Sequence, residues 1–181
     1  MSTTGPAAPA SPFAPVVTPR WPAYATFLWA FAFALLSLYW ALGGEWLLDT
    51  IGAAVTEPAR GGDPAVVAAV WASVAVKFAA AVAALGLLQR WGRWFPGWFL
   101  VGGGWLAAGL LVLYGGAGLV QQLLMASGAV EVSETFAPVL YWHLFLWSPY
   151  WLLGGVLFAL STVHLSRALP RGGRPDAGVG R

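Results

Sequence analysis

Four long apolar stretches constrain the fold of this chain more than any other feature. They run over residues 24–43, 64–88, 98–125 and 138–161. A bilayer core about 30 Å thick needs roughly 20 mainly apolar residues in a helix, so each stretch is long enough to cross a membrane. The last two exceed this minimum, and we expect them to tilt or to extend beyond the apolar core. The sequence therefore predicts an all-α fold, a four-helix transmembrane bundle.

The composition excludes the main classes of water-soluble protein. Of the 181 residues, 59% are hydrophobic and only 9% are charged, whereas a soluble domain is about half apolar and a quarter charged. So little charge does not cover a water-facing surface, which argues against a soluble domain, a disordered chain and a nucleic-acid binder. The chain has no Cys, so thiol nucleophiles, disulfides and thiolate metal sites are excluded as well.

The segments outside the spans are short and differ in composition from the spans. Residues 1–20 are rich in Pro, Ala, Ser and Thr, and residues 167–181 in Arg, Gly and Pro, so both are predicted to be disordered tails. Residues 21–166 then form the membrane domain. Asp63 and Pro64 are typical of the N-cap and the first residue of a helix, here the second span. The first span is too long and too aromatic for a typical cleavable signal sequence.

The charged residues separate into two groups if the spans alternate in direction. Seven arginines and Asp176 fall on one side, with a net charge of +6, and Arg60 falls on the other side with six carboxylates, with a net charge of −5. Those carboxylates are Glu45, Asp49, Glu57, Asp63, Glu131 and Glu134. Because basic residues near the ends of spans stay in the cytoplasm, we expect a multi-pass protein of the bacterial plasma membrane with both termini cytoplasmic.

Lys77 is the only Lys in the chain and lies near the middle of the second span. A central Lys costs about 2.5–3.5 kcal/mol on insertion scales, so an ionisable residue there is a functional candidate. It could bind an anionic head group, act as a base or move a proton. The alternative is a snorkelling or internally paired Lys that locks the packing of the helices.

Glu45 and Asp49 follow the first span. If the chain becomes helical again after Gly44, the two carboxylates share one face at i, i+4 spacing. Paired carboxylates in a partly apolar setting can differ in pKa and serve as acid and base. The alternative is an ordinary pair of acids at a solvated helix end.

The fourth span contains a His and a Pro close together. Pro149 removes one helical hydrogen bond, so we expect a kink. His143 and Trp147 fall on one helix face, at a depth similar to that of Gln121 and Gln122 in the third span. His143 is either a functional residue or a hydrogen-bonded packing residue. No second His or Cys follows at ligand spacing, so no metal site and no cofactor are predicted.

These residues suggest a polar pocket that opens to the outer leaflet, with Lys77 as its floor. The candidate catalytic residues are Glu45, Asp49, Lys77 and His143. The candidate ligand-binding residues are Tyr39, Tyr114, Gln121, Gln122, Tyr141, Trp147 and Ser148.

Small residues at four-residue spacing let helix backbones approach closely. Ala75, Ala79 and Ala83 form such a ridge in the second span, and Gly104 with Ala108 begins another in the third. We expect these ridges to pack within one chain, with homodimerisation as the alternative.

The stretch from Tyr39 to Asp49 reads Tyr-Trp-Ala-Leu-Gly-Gly-x-Trp-x-Leu-Asp, and a Ser148-Pro149 turn is followed by Gly154 and Gly155. In these two blocks the chain resembles a family of small four-span bacterial membrane proteins, common in actinobacteria and known as a domain of unknown function. The resemblance implies the same four-span fold and no established activity. The scarcity of Lys among many Ala, Gly and Arg residues fits a high-GC actinobacterium.

Three functions remain open at this point. The first is non-enzymatic binding of a lipid, a hydrophobic small molecule or a membrane-protein partner. The second is an intramembrane enzyme of isomerase, cyclase or hydrolase type that performs acid–base chemistry on a lipid or isoprenoid. The third is a proton-coupled carrier that uses Lys77 and His143. The expected partners are membrane lipids and a membrane protein or a second copy of the chain, not nucleic acid.

Overall fold

The computed structural model describes residues 20–86 and 96–168, which form helices and the turns between them, with no strand in these ranges. The helices are α1 (Trp21–Ala41), α2 (Ala53–Arg60), α3 (Pro64–Gly86), α4 (Gly97–Ala126) and α5 (Ala137–Ala168). All but α2 are long and apolar enough to cross a membrane. The predicted all-α, four-span fold is therefore confirmed.

The arginines at 90, 93, 171, 174 and 181 lie outside the described residues. Of the two predicted tails, only the ends next to the spans are described, at Arg20 and at Arg167 and Ala168. At the first of these ends, α1 starts at Trp21, three residues before the predicted span, with Pro22 in its first turn. Proline suits this place because the first N–H groups of a helix have no partner inside it. The start of α3 agrees with the prediction, since the Asp63 carboxylate accepts the N–H groups of Ala65 at 2.8 Å and Val66 at 3.2 Å.

Helix α5 continues to Ala168, beyond the predicted span end at 161 and past the predicted start of the tail at 167. The polar residues in this last part donate to carbonyls four residues earlier in the same helix. Thr162 donates to Phe158, and Ser166 to Thr162, each at 2.8 Å. Because the side chains satisfy themselves locally, a polar composition does not end the helix.

The helices pack in the order α3, α1, α5, α4, so α1 and α5 lie in the middle of an open row. Helices α3 and α4 are at the two ends of this row and form no extensive interface with each other in the described part of the chain. The bundle is consequently not closed into a ring. It offers two separate grooves, one between α3 and α1 and the other between α5 and α4.

Small residues bring α4 and α5 together. A Cβ atom added to Gly104 would overlap the side chain of Thr162, and one added to Gly115 would lie 2.8 Å from the backbone nitrogen of Leu152. Ala108 is buried in the same interface. The expectation that these residues pack within one chain is confirmed for α4.

The Ala ridge of α3 behaves differently. Ala75, Ala79 and Ala83 are exposed, whereas Ala81 and Ala84 on the opposite face are buried. The expected packing of this ridge within the chain is therefore wrong. Among the described residues, helix α3 has α1 and the short α2 as its main neighbours, so none of the described helices packs extensively against its other side.

Paired polar groups and aromatic rings hold α1 against α5. The Trp29 indole donates to the Tyr150 carbonyl at 3.0 Å, and the Tyr150 hydroxyl donates to the Trp29 carbonyl at 2.8 Å. A Cβ on Gly154 would overlap the Trp29 ring, so this glycine lets the indole lie flat against α5. Toward the far end of the two helices, the hydroxyl groups of Thr26 and Ser161 bond each other at 2.8 Å.

Candidate functional site

A cavity of about 790 Å³ lies between α4 and α5. It brings together six of the eleven residues predicted for the site: Tyr114, Gln121, Gln122, His143, Trp147 and Ser148. The segment that joins α4 to α5 adds Ser133, Thr135 and Phe136 to the lining, which the sequence reasoning missed because nothing in their local pattern marks them. The apolar part of the lining includes Leu110, Leu113 and Trp151.

The shape of α5 at this cavity follows from Pro149. Five residues, His143–Trp147, form a π-helical turn directly before Ser148 and Pro149. The Ser148 N–H donates to the His143 carbonyl five residues back, and Pro149 has no N–H to continue the α-helical pattern. A π-helical turn therefore lies directly before the residue at which the kink is predicted, and such turns are frequent at functional sites.

Gln122 is a deeply buried polar residue of the cavity, with 6% of its surface exposed. Its Oε1 accepts the Ser148 hydroxyl at 2.9 Å. Its amide nitrogen has no acceptor among the described residues. Because no fully buried side-chain nitrogen or oxygen in the described ranges lacks a partner, this nitrogen must be accessible. Gln122 lines the cavity, so the free amide group faces it.

His143 is half-buried and is held from two directions. Its Nε2 lies 3.0 Å from the Ile51 carbonyl, and its ring packs against Phe136 with 5.1 Å between ring centroids. A carbonyl oxygen only accepts, so Nε2 carries the hydrogen. In the neutral ring, Nδ1 is then left as an acceptor.

Trp147 connects the cavity to α1. Its indole donates to the Thr50 hydroxyl at 3.1 Å, and its ring lies 6.2 Å from that of Phe33 and 5.9 Å from that of Trp40. Together with the bond from His143 to Ile51, this holds the turn after α1 against the beginning of α5. The end of α1 and the beginning of α5 therefore lie on the same side of the bundle, as alternating spans require.

The cavity opens sideways past α4. Leu113 and Tyr114 line it and are 68% and 65% exposed. None of the described residues that line the cavity is Asp, Glu, Lys or Arg.

Glu45 and Asp49 lie away from this cavity, on the exposed surface. The expected helix after α1 does not form, because Leu47 adopts a left-handed conformation with φ of 61° and only a 3₁₀ turn, Leu48–Thr50, follows. Arg60 of α2 nevertheless joins the two carboxylates, with Nη2 2.8 Å from Asp49 and Nε 3.6 Å from Glu45. The hydrogen bond and the charge of Asp49 raise the pKa of Arg60, so the guanidinium stays charged.

Tyr39 and Tyr141 also lie outside the cavity lining. The Tyr39 ring covers Gly44, and its hydroxyl accepts the Trp46 N–H at 3.5 Å. Tyr141 is 61% exposed and stacks on Phe145 with 6.2 Å between ring centroids. Neither ring is placed to touch a molecule in the cavity.

Lys77 lies on the other side of α1, between α1 and α3. Its ammonium group donates to the Ser37 hydroxyl at 2.7 Å and to the Ser73 hydroxyl at 2.8 Å. It also lies 3.9 Å from the centroid of the Phe33 ring. The expectation of one pocket with Lys77 as its floor is therefore wrong: the row of helices places Lys77 in one groove and His143 in the other.

A comparison with models of protein families supports the resemblance of this chain to a family of unknown function. Residues 30–158 match the model of the family described as protein of unknown function, DUF3995. This range contains most of α1 and α5, all of α4, and every residue that lines the cavity between α4 and α5. No curated protein and no solved structure matches the chain.

Proposed function

We propose that this chain, which belongs to the DUF3995 family of proteins of unknown function, binds an uncharged amphiphile in the cavity between α4 and α5. The hydrocarbon part would lie along Leu110, Leu113 and Trp151, and the polar end would reach Gln122 and His143. The volume of about 790 Å³ is in the range of sites for small organic molecules.

The amide nitrogen of Gln122 carries this proposal. A polar group that is nearly buried and has no partner costs about 1–3 kcal/mol, and native structures contain few such groups. Here the unpaired donor borders a cavity that is partly open and large enough for a ligand. An oxygen of the bound molecule would accept from this amide.

The polar end of the ligand follows from what the cavity offers. Gln122 offers a donor, and His143 offers Nδ1 as an acceptor in the tautomer that donates from Nε2 to Ile51. A hydroxyl or amide group of the ligand can match both. A phosphate or an ammonium group would find no opposite charge among the residues of the lining, and burying an unpaired charge is unfavourable.

The separation of the ionisable residues supports binding over acid–base catalysis and proton-coupled transport. Acid–base chemistry needs two titratable groups within reach of one reacting atom. Glu45 and Asp49 pair with Arg60 at the surface, and Lys77 lies in the other groove. Among the described residues that line the cavity, His143 is therefore the only residue of the types His, Asp, Glu, Lys and Arg.

The proposed location is the bacterial plasma membrane with both termini in the cytoplasm, which places the cavity in the outer leaflet. Support comes from the net charge of −5 on the side of the bundle where α1 ends and α5 begins.

Mass spectrometry of bound molecules tests the proposal. The chain is purified in native lipid particles, and the amphiphiles that remain bound are quantified per mole of protein. Ala117→Trp fills the cavity, whereas Val120→Trp places the same side chain on α4 outside the lining of this cavity. We expect a neutral amphiphile to be enriched with the wild type and Val120→Trp and lost with Ala117→Trp. Equal retention by Ala117→Trp would refute binding in this cavity.

A further inference from the structure

A second cavity, of about 470 Å³, lies between α1, α2 and α3. Most of its wall is apolar and includes Val55, Val66 and Val70. Ser37 and Ser73 contribute the two hydroxyl groups of the lining. Both hydroxyl oxygens accept hydrogen bonds from Lys77, which therefore lies directly behind this part of the wall.

The two hydroxyl groups have hydrogens to spare. Each oxygen accepts from Lys77, but neither hydroxyl has an acceptor for its own hydrogen among the described residues. Several other hydroxyl groups in the spans donate to an acceptor, as Thr26 does to the Pro22 carbonyl at 2.8 Å and Ser148 does to Gln122 at 2.9 Å. At this point the cavity consequently presents donors and a nearby positive charge.

No carboxylate among the described residues neutralises the charge of Lys77. The ion pairs of the described residues are those of Arg60 with Glu45 and Asp49. The Phe33 ring at 3.9 Å attracts the ammonium group through its π face, but a ring carries no net charge. A charge within a span is unfavourable unless it is paired, so an anion in this cavity would gain from the position of Lys77.

We propose that this cavity binds a monocarboxylate with an apolar body. The carboxylate oxygens accept from Ser37 and Ser73, and Lys77 behind them supplies the opposite charge. A carboxylate matches this wall because it only accepts hydrogen bonds and carries a single negative charge. The apolar body lies against the valines of α2 and α3. The proposal does not depend on what occupies the cavity between α4 and α5.

Equilibrium dialysis of radiolabelled octanoate tests this site. The full chain is reconstituted in phosphatidylcholine nanodiscs, and binding to empty nanodiscs is subtracted. We expect saturable binding of octanoate and no competition by octanol, which has the same chain without the charge. Lys77→Met removes the positive charge behind the two serines, and we expect this to raise the Kd of octanoate by about tenfold, which corresponds to about 1.4 kcal/mol.

A matched pair of variants keeps the test decisive if Lys77→Met does not fold. Val66 lines the cavity and Val67 does not, although both are on the first turns of α3. Val66→Trp should abolish octanoate binding while leaving the three polar residues in place, and Val67→Trp should bind like the wild type. Undiminished binding by Val66→Trp, or equal competition by octanol, would overturn the proposal.

Discussion

Replacing Ser148 by Ala should destabilise the chain far more than the size of the change suggests. Ser148 is buried and donates to Gln122 at 2.9 Å. Without this hydroxyl the Gln122 side chain keeps no hydrogen bond to the described residues, and its nearly buried Oε1 loses its donor. Leaving a buried acceptor unsatisfied costs about 1–3 kcal/mol. Ser148→Ala should therefore lower the free energy of unfolding by about that amount.

Replacing the other partner should have a smaller effect. Gln122→Met keeps a similar volume and removes both the acceptor and the unpaired amide nitrogen. The Ser148 hydroxyl can then turn to a carbonyl of its own helix, as Thr162 already does toward Phe158. We expect a change of less than about 1 kcal/mol, because replacing a polar group by an apolar one of similar shape leaves little unsatisfied.

Reversible unfolding in mixed detergent micelles, followed by circular dichroism, measures both variants and the double variant. If the two side chains act as one pair, Ser148→Ala adds little once Gln122→Met is present, and the coupling energy is about 1–3 kcal/mol. The reasoning fails if the two effects simply add, or if Ser148→Ala is no more destabilising than Gln122→Met.

Two further predictions concern packing and orientation. Gly104→Ala should destabilise the chain by about 1–3 kcal/mol because the new methyl group overlaps Thr162. In the same unfolding assay Gly109→Ala should be neutral or stabilising, because its methyl group meets nothing within 4 Å. Because the chain has no Cys, a single introduced cysteine reports on orientation. A membrane-impermeant maleimide should label Ala129→Cys in intact cells and Ala168→Cys only after permeabilisation. The reverse labelling pattern would contradict cytoplasmic termini.

The spans were predictable because they depend on local properties of the chain. An apolar run of roughly 20 residues has to be helical in a bilayer, where each backbone group must be satisfied within its own segment. Asp63 could be recognised as a cap because its partners, Ala65 and Val66, are adjacent in sequence. The ends were less accurate, since Thr162 and Ser166 satisfy themselves inside α5.

The composition of the site was only partly predictable because it depends on the lateral order of the helices. No local pattern in the sequence reveals that α1 and α5 lie between α3 and α4. This order separates Lys77 from His143 and pairs Lys77 with Ser37, a residue 40 positions away. Arg60 was likewise missed as a partner of Glu45 and Asp49, because the expected helical spacing was replaced by a turn at Leu47.

Hydrogen-bond satisfaction distinguishes the polar residues of the spans better than their depth does. Thr26 and Thr162 are as deep in the helix packing as Gln122, but each donates to a carbonyl of its own helix and needs nothing more. Gln122 retains a free amide nitrogen, and Ser37 and Ser73 retain free hydroxyl hydrogens. In each case the donor without an acceptor among the described residues borders a cavity. The described lining of the cavity between α4 and α5 contains no Asp, Glu, Lys or Arg, and the cavity between α1, α2 and α3 lies beside the ammonium group of Lys77. The chemistry of the two cavities therefore differs, and a molecule that fits one has the wrong charge for the other.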